Sequence, residues 1–254
     1  MSQFGVLILA TVLLMLGGCA SRPAANEQAQ QYQDPKDPLE SFNRTMWDFN
    51  YDILDEHILR PTTVAYVNYM PQIARSGLLN IAENLEEPSN SVNNLLQGKL
   101  DGTFISLGRF LLNSTVGLLG LIDVASEIGL ESKEEEFGEV LGKWGVGTGP
   151  YLMVPTLGPT DVRSSVGDLV DLSYSPLDGL NFYLGFLRVG IIALEDRASL
   201  IQQEQQLISS ADPYAFVKSA YFQNLEFKVK DGKVEKSEEE AALEDDIDAF
   251  LDDF

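Results

Sequence analysis

The chain has 254 residues, 44% of them hydrophobic and 22% charged, which is enough for a packed core and excludes disorder throughout. Its formal charge of -22, from 17 basic against 39 acidic residues, excludes a phosphate-tracking nucleic-acid surface and a polybasic lipid-binding patch. Contact with a membrane then falls to apolar surface or to a covalent anchor.

Residues 1–18, MSQFGVLILATVLLMLGG, carry no charged side chain and lead straight into the only cysteine, Cys19. An apolar run this short, ending in small residues and followed by a polar stretch, reads as a cleaved export signal rather than a spanning helix. Leu16-Gly17-Gly18-Cys19 resembles the lipobox of bacterial lipoproteins, in which the cysteine thiol is lipidated and signal cleavage frees its amine for acylation. Ala20 at the following position implies sorting to the outer membrane. With Cys19 modified, no thiol is left for a disulfide or a cysteine metal site, so packing must hold the fold. After the lipidated cysteine, the rest of residues 19–36 is mostly Ala, Gln, Asn, Ser and Pro with scattered charge. The stretch suits a flexible tether reaching roughly 50 Å when extended.

The folded part opens with Asp37-Pro38-Leu39-Glu40, an expected N-cap, first-turn proline and capping-box glutamate. Leu39, Phe42, Met46, Phe49 and Ile53 follow at steps of three and four, which is one apolar helical face, while Arg44, Asp48, Asp52 and Asp55 occupy another. His57, the one histidine, sits near a helix end and has no second histidine for a metal pair. Further short helices are expected at about 62–70, 72–86, 89–98, 101–114, 119–128 and 133–143, each closed by Gly or Pro. The glutamates of "ESKEEEFGE" at 131–139 match no Ca²⁺ loop, and their bland reading is a solvated face.

Residues 142–163, GKWGVGTGPYLMVPTLGPTDVR, interleave five glycines and three prolines with large apolar side chains. Gly145-x-Gly147-x-Gly149 superficially matches a dinucleotide-binding loop, but no credible strand precedes it and no helix opens after it. The stretch is expected to be irregular backbone. Beyond it come helices near 160–171 and 179–209 and a last one opened by Asp212-Pro213. Ser164-Ser165 lie in a helical first turn, with no nucleophile elbow. The reading is one all-α domain over 37–228, made of many short amphipathic helices, with no enzyme chemistry, cofactor or metal. Residues 229–254 form an acidic tail: from Asp231 on, eleven acids face two lysines. It reads either as a solvating, largely disordered segment or as an acidic amphipathic helix for a basic partner.

Five stretches carry a resemblance: "DPLESFNRTMWDFNYDILD" at 37–55, "NLEEPSNSVNNLLQG" at 84–98, "RFLLNSTVGLLGLIDVA" at 109–125, the 142–163 segment, and "DPYAFVKSAYFQ" at 212–223. In this order they resemble the VacJ family, also called MlaA, of outer-membrane lipoproteins, over essentially the whole body. Lys218 stands where an arginine is expected, and the acidic tail is another departure. The resemblance implies a ring of helices with a central channel, embedded in the outer membrane from the periplasmic side and associated with a trimeric porin. It implies removal of misplaced glycerophospholipids from the outer leaflet and delivery to a periplasmic lipid carrier, which serves an inner-membrane ABC transporter. The alternative is a structural, porin-associated envelope lipoprotein without transport.

Non-helical backbone at membrane depth survives only where protein buries it or where it lines a wet cavity. Under the transport reading, Gly145, Gly147 and Gly149 let the backbone bend while Pro150 and Pro155 stiffen it, and Tyr151 and Leu152 contribute an apolar wall. Lys143, Trp144 and Arg163 flank this passage or gate. In the first helix, Phe42, Asn43, Arg44, Met46, Asp48 and Phe49 are candidates for a gating position beside the pore. Lys143, Arg163 and Arg44 are candidate phosphate contacts that could equally pair with carboxylates.

Overall fold

A computed structural model describes residues 34–174 and 182–233. The signal, Cys19, most of the tether and the tail from 234 on lie outside the described residues.

Within the body that starts at Pro35, α1 (Glu40–Asp48) runs without a break into a π-helix (Phe49–Leu59) and then α2 (Arg60–Tyr69). Next come α3 (Gln72–Asn84), α4 (Glu87–Leu96), α5 (Leu100–Thr115), the single turn α6 (Val124–Glu127) and α7 (Phe137–Lys143). Pro71 and Pro88 stand at helix starts, where their missing N–H costs nothing. A hairpin follows, β1 (Tyr151–Val154) antiparallel to β2 (Gly158–Asp161), with Tyr151 opposite Asp161 and Val154 opposite Gly158. The remaining elements are α8 (Val162–Tyr174), α9 (Phe182–Leu200), a 3₁₀ turn, α10 (Glu204–Ser209) and α11 (Pro213–Val229).

The fold is all-α, as expected, but three local expectations change. The 142–163 stretch is not irregular throughout, because it contains the hairpin. Tyr-Leu-Met-Val is apolar at every position, so the strand's alternating burial leaves no period-two mark in the sequence. Asp37 does not cap α1, whose first turn has no side-chain cap. Its carboxylate is instead fully buried, accepting from Asn43 Nδ2 (2.8 Å), Tyr214 Oη (2.5 Å) and Lys218 Nζ (2.9 Å). The third change is the π-helix, since isolated π turns are the rule and an eleven-residue run is unusual.

The elements touch in a closed circuit: α1, the π-helix, α2, α9, α3, α5, α4, α7, α11, β2, β1 and back to α1. One cohesive centre is aromatic, with Tyr151 packed edge-on to Tyr214 and Tyr221 and tilted against Phe222. Where α7 crosses α8, a Cβ on Gly167 would lie 2.3 Å from the Gly138 nitrogen, so only glycine admits that approach.

Candidate functional site

Two asparagines seven residues apart join the first helix to the hairpin. Asn43, fully buried, donates from Nδ2 to the Tyr151 carbonyl (3.1 Å) and accepts at Oδ1 from the Met153 N–H (2.9 Å). Asn50 repeats the device further along, donating to the Val154 carbonyl (2.9 Å) and accepting from the Thr156 N–H (2.8 Å). A primary amide carries a donor and an acceptor side by side, so each asparagine serves as one rung of a sheet. Thr156 has a φ of 70°, a strained value for a β-branched residue, and the Asn50 bond holds it there.

Between these clasps lies a cavity of about 600 Å³, lined by Thr45, Met46, Asp48, Phe49, Asp52, Ile53 and Pro155. It brings together four of the expected residues, Met46, Asp48, Phe49 and Pro155, from segments more than a hundred positions apart. Thr45, Asp52 and Ile53 complete it. The helical lining lies at Thr45 and one, three, four, seven and eight residues beyond it, a spacing visible in the sequence but divided there between an apolar face and a charged one.

The other candidates lie elsewhere. Phe42 is exposed, and Arg44 forks onto Asp212 (2.6 and 3.1 Å), reaches Glu40 (2.8 Å) and lies over the Tyr214 ring. Lys143 pairs with Asp231 at 3.1 Å. Trp144 is exposed, donating to the Leu96 carbonyl and meeting Phe137 edge-on. Gly145 and Gly149 take φ of 88° and 72° in an exposed loop that includes Gly147 and ends at Pro150. Tyr151 is in the aromatic centre, Leu152 is half-buried, and Arg163 is buried with Nη1 on the Val146 carbonyl (3.0 Å).

A second arrangement emerges around α5. Its Gly102, Ser106, Arg109 and Asn113 are buried, whereas Leu100, Phe104, Leu107 and Leu111 are exposed, Phe104 at 69%. Each set recurs at steps of three and four, so the helix is amphipathic with its polar stripe inward. Arg109 pairs with buried Glu87 and with Asp123 (3.2 Å), and it donates to Ser126 Oγ (2.9 Å) and the Leu130 carbonyl. Asn113 links the Asp123 carboxylate (2.9 Å) to the Ala125 N–H (2.9 Å). On α4, Asn90, Asn93 and Asn94 hold the extended 133–135 backbone by its polar groups. Among the described residues, fifteen polar or charged side chains are buried against seven apolar ones. A water-soluble domain has the reverse balance, since polar groups outside and apolar groups inside minimise cost in water. The loop beyond α5 continues the apolar exterior with exposed Val116, Leu118, Leu119, Leu121 and Ile122.

A smaller polar cavity of about 250 Å³ lies between α8 and α11, with Asp168, Tyr221 and Lys228 on its walls. Burial raises the Asp168 carboxyl to about 6. Nearby, burial lifts Glu139 to about 8, reinforced by Glu135 and Glu136 and opposed by Lys228 at 3.3 Å. His57 Nδ1 contacts the Asp52 carbonyl and Ser165 Oγ contacts Thr160 Oγ1, so each is engaged locally.

The family model described as MlaA lipoprotein matches residues 35–228. This chain belongs to the MlaA family. Relatives from Escherichia coli (strain K12) and Shigella flexneri, each an "intermembrane phospholipid transport system lipoprotein MlaA", are 38% identical to it over 250 residues, 96% of both chains. A third of that name, from Haemophilus influenzae, is also 38% identical and covers 92% of this chain and 93% of its own. A solved chain from work on the structural basis for maintenance of bacterial outer membrane lipid asymmetry superposes with a TM-score of 0.72 at 43% identity. That match covers 76% of this chain and 98% of the other. The span shared with the MlaA model contains both asparagine clasps, the 600 Å³ cavity and the inverted helix α5.

Proposed function

We propose that this protein is a lipid-anchored outer-membrane lipoprotein that takes misplaced glycerophospholipid from the outer leaflet and passes it to a periplasmic carrier. The observation that carries the reading is α5, whose leucines and phenylalanine face outward while Arg109 and Asn113 face inward. In hydrocarbon that orientation is the favourable one: apolar side chains meet acyl chains and polar groups satisfy each other inside. No helix among the described residues is long and apolar enough to cross a membrane, which fits a body seated in one leaflet and anchored through Cys19. The relatives' role in intermembrane phospholipid transport gives this seat a purpose. The closed circuit of helices surrounds a channel, and the cavity at Met46, Phe49 and Pro155 lies along the lipid's path, with the hairpin as its movable wall. A trimeric porin holds the body in place, and an inner-membrane ABC transporter receives the lipid from the carrier.

The test is the amount of phospholipid exposed in the outer leaflet of cells lacking the protein. It should rise severalfold, return to normal with the intact chain, and stay high with Cys19→Ala. Unchanged outer-leaflet phospholipid would leave the envelope-scaffold alternative in its place.

A further inference from the structure

The turn that follows α5 carries backbone strain at two exposed leucines. Leu118 and Leu119 take φ of 55° and 62°, and Gly120 continues at 94°. In this left-handed region a Cβ crowds the following carbonyl, so glycine or asparagine is the ordinary occupant. Both leucines nevertheless point outward, 62% and 75% exposed, so core packing does not offset the strain. The shape is fixed from beneath: a Cβ on Gly117 would lie 2.2 Å from the Ile122 carbonyl oxygen, and one on Gly120 2.8 Å from Asn84 Cβ. Polar groups around the turn are closed internally. The N–H groups of residues 116, 117 and 119–122 each donate to a main-chain oxygen, Ser114 Oγ accepts from Asn84 Nδ2 (2.9 Å), and Thr115 Oγ1 donates back to the Leu111 carbonyl (2.6 Å). Residues 110–122 carry no charged side chain. A turn in water can leave its polar groups to solvent, whereas one in hydrocarbon must satisfy them itself.

The length of α5 sets how deep this turn lies. Lys99 and exposed Asp101 put charge at one end of the helix, and the turn is at the other. The sixteen residues between span about 24 Å at 1.5 Å per residue. The hydrocarbon of one leaflet is about 15 Å thick, half of the whole core. With Asp101 at the headgroups, any tilt below about 50° brings the far end to the midplane, and membrane helices tilt by about 20° on average. We infer that residues 116–122 form a leucine tip that reaches the bilayer midplane and touches the chain ends of the leaflet opposite the anchor. The inference rests on the membrane-seated reading and adds the point at which the body meets the outer leaflet. Hydrocarbon is the occupant because the tip continues the outward stripe of α5, carries no charge, and holds leucine where only an apolar outward side chain would justify the strain.

The full-length protein, acylated at Cys19 and so without another thiol, tests this with a fluorescent label at Leu119→Cys in vesicles of phosphatidylethanolamine and phosphatidylglycerol. Lipids bearing a nitroxide near the methyl end of the chain should quench the label severalfold more than lipids bearing it near the headgroup. Stronger quenching from the headgroup end or by aqueous iodide would overturn the tip and leave lipid transport standing, as would a label that no lipid reaches while one at Leu107→Cys is quenched. If lipid reaches neither label, the membrane seat itself falls. Leu118→Asn with Leu119→Asn separates the tip from a packing role, because asparagine accepts the left-handed turn. That variant should keep or raise the denaturation midpoint in detergent, while cells carrying it accumulate outer-leaflet phospholipid severalfold. A lowered midpoint, or outer-leaflet phospholipid that stays normal, would overturn the inference.

Discussion

The hairpin end and the α5 block are cemented in opposite ways. At the hairpin, Tyr151, Met153 and Tyr214 make an apolar aromatic centre, and polar groups meet it as specific clasps, among them the Asn43 and Asn50 amides and the buried Asp37 and Asp161 carboxylates. Around α5 the buried layer is itself polar, built on Arg109, Glu87 and Asn113, and the apolar side chains are on the outside. One chain thus combines a water-type core with a lipid-type shell. The difference separates the two regions: the hairpin packs against protein, and α5 presents an apolar stripe that, under the proposed function, meets hydrocarbon.

The sharpest way to break this contrast is to remove the charge at the centre of the α5 block. Arg109→Ala leaves Glu87 buried and uncompensated, and the expected loss is about 3–5 kcal/mol, read as a lowered denaturation midpoint in detergent. At the hairpin, Asn43→Ala strands the Tyr151 carbonyl and Met153 N–H, for a smaller loss of about 2 kcal/mol, and Asn50→Ala should cost about half as much because its site is less buried.

Glu139 supplies a pH test of the polar layer. Its folded value, about 8, lies above the ordinary 4.5, so the folded state binds the proton more tightly than the unfolded chain does. Its contribution is fully present below about pH 4.5 and is lost as pH rises through 8. The denaturation midpoint should therefore fall between pH 5 and 9 in the wild type, by a margin that Glu139→Gln reduces. The smallest effect on stability belongs to the outer stripe. Phe104→Ser should move the detergent midpoint by no more than about 0.5 kcal/mol, while weakening retention of the body in membranes after salt and carbonate washing.

The sequence made the period of these helices readable, because apolar residues recur at three and four. It did not show which stripe faces inward. Leu100, Phe104, Leu107 and Leu111 form the same pattern whether the far side is water or protein, and only the burial of Ser106, Arg109 and Asn113 separates the cases. The geometry of the candidate site was legible only in part for a similar reason. Met46, Asp48, Phe49 and Pro155 come together on one cavity, whereas Asn43, named with the first-helix candidates, lies beneath the hairpin as a clasp. The partner of a buried amide is set by a strand 108 residues away, a contact that local spacing does not encode. Asp37 illustrates the same limit: Asp-Pro-x-Glu is a sound capping signal, yet Tyr214 and Lys218 offered the carboxylate stronger, buried partners.

The central claim is that α5 turns its apolar stripe to lipid. A spin label placed at Leu107→Cys, in protein reconstituted into bilayers, reads this through its relaxation by oxygen against a water-soluble nickel chelate; Asp101→Cys on the exposed polar first turn serves as reference. The account predicts that the label at 107 relaxes with oxygen, as in acyl chains, and is shielded from nickel, while the label at 101 is reached by nickel. Equal access of nickel to both positions would contradict it.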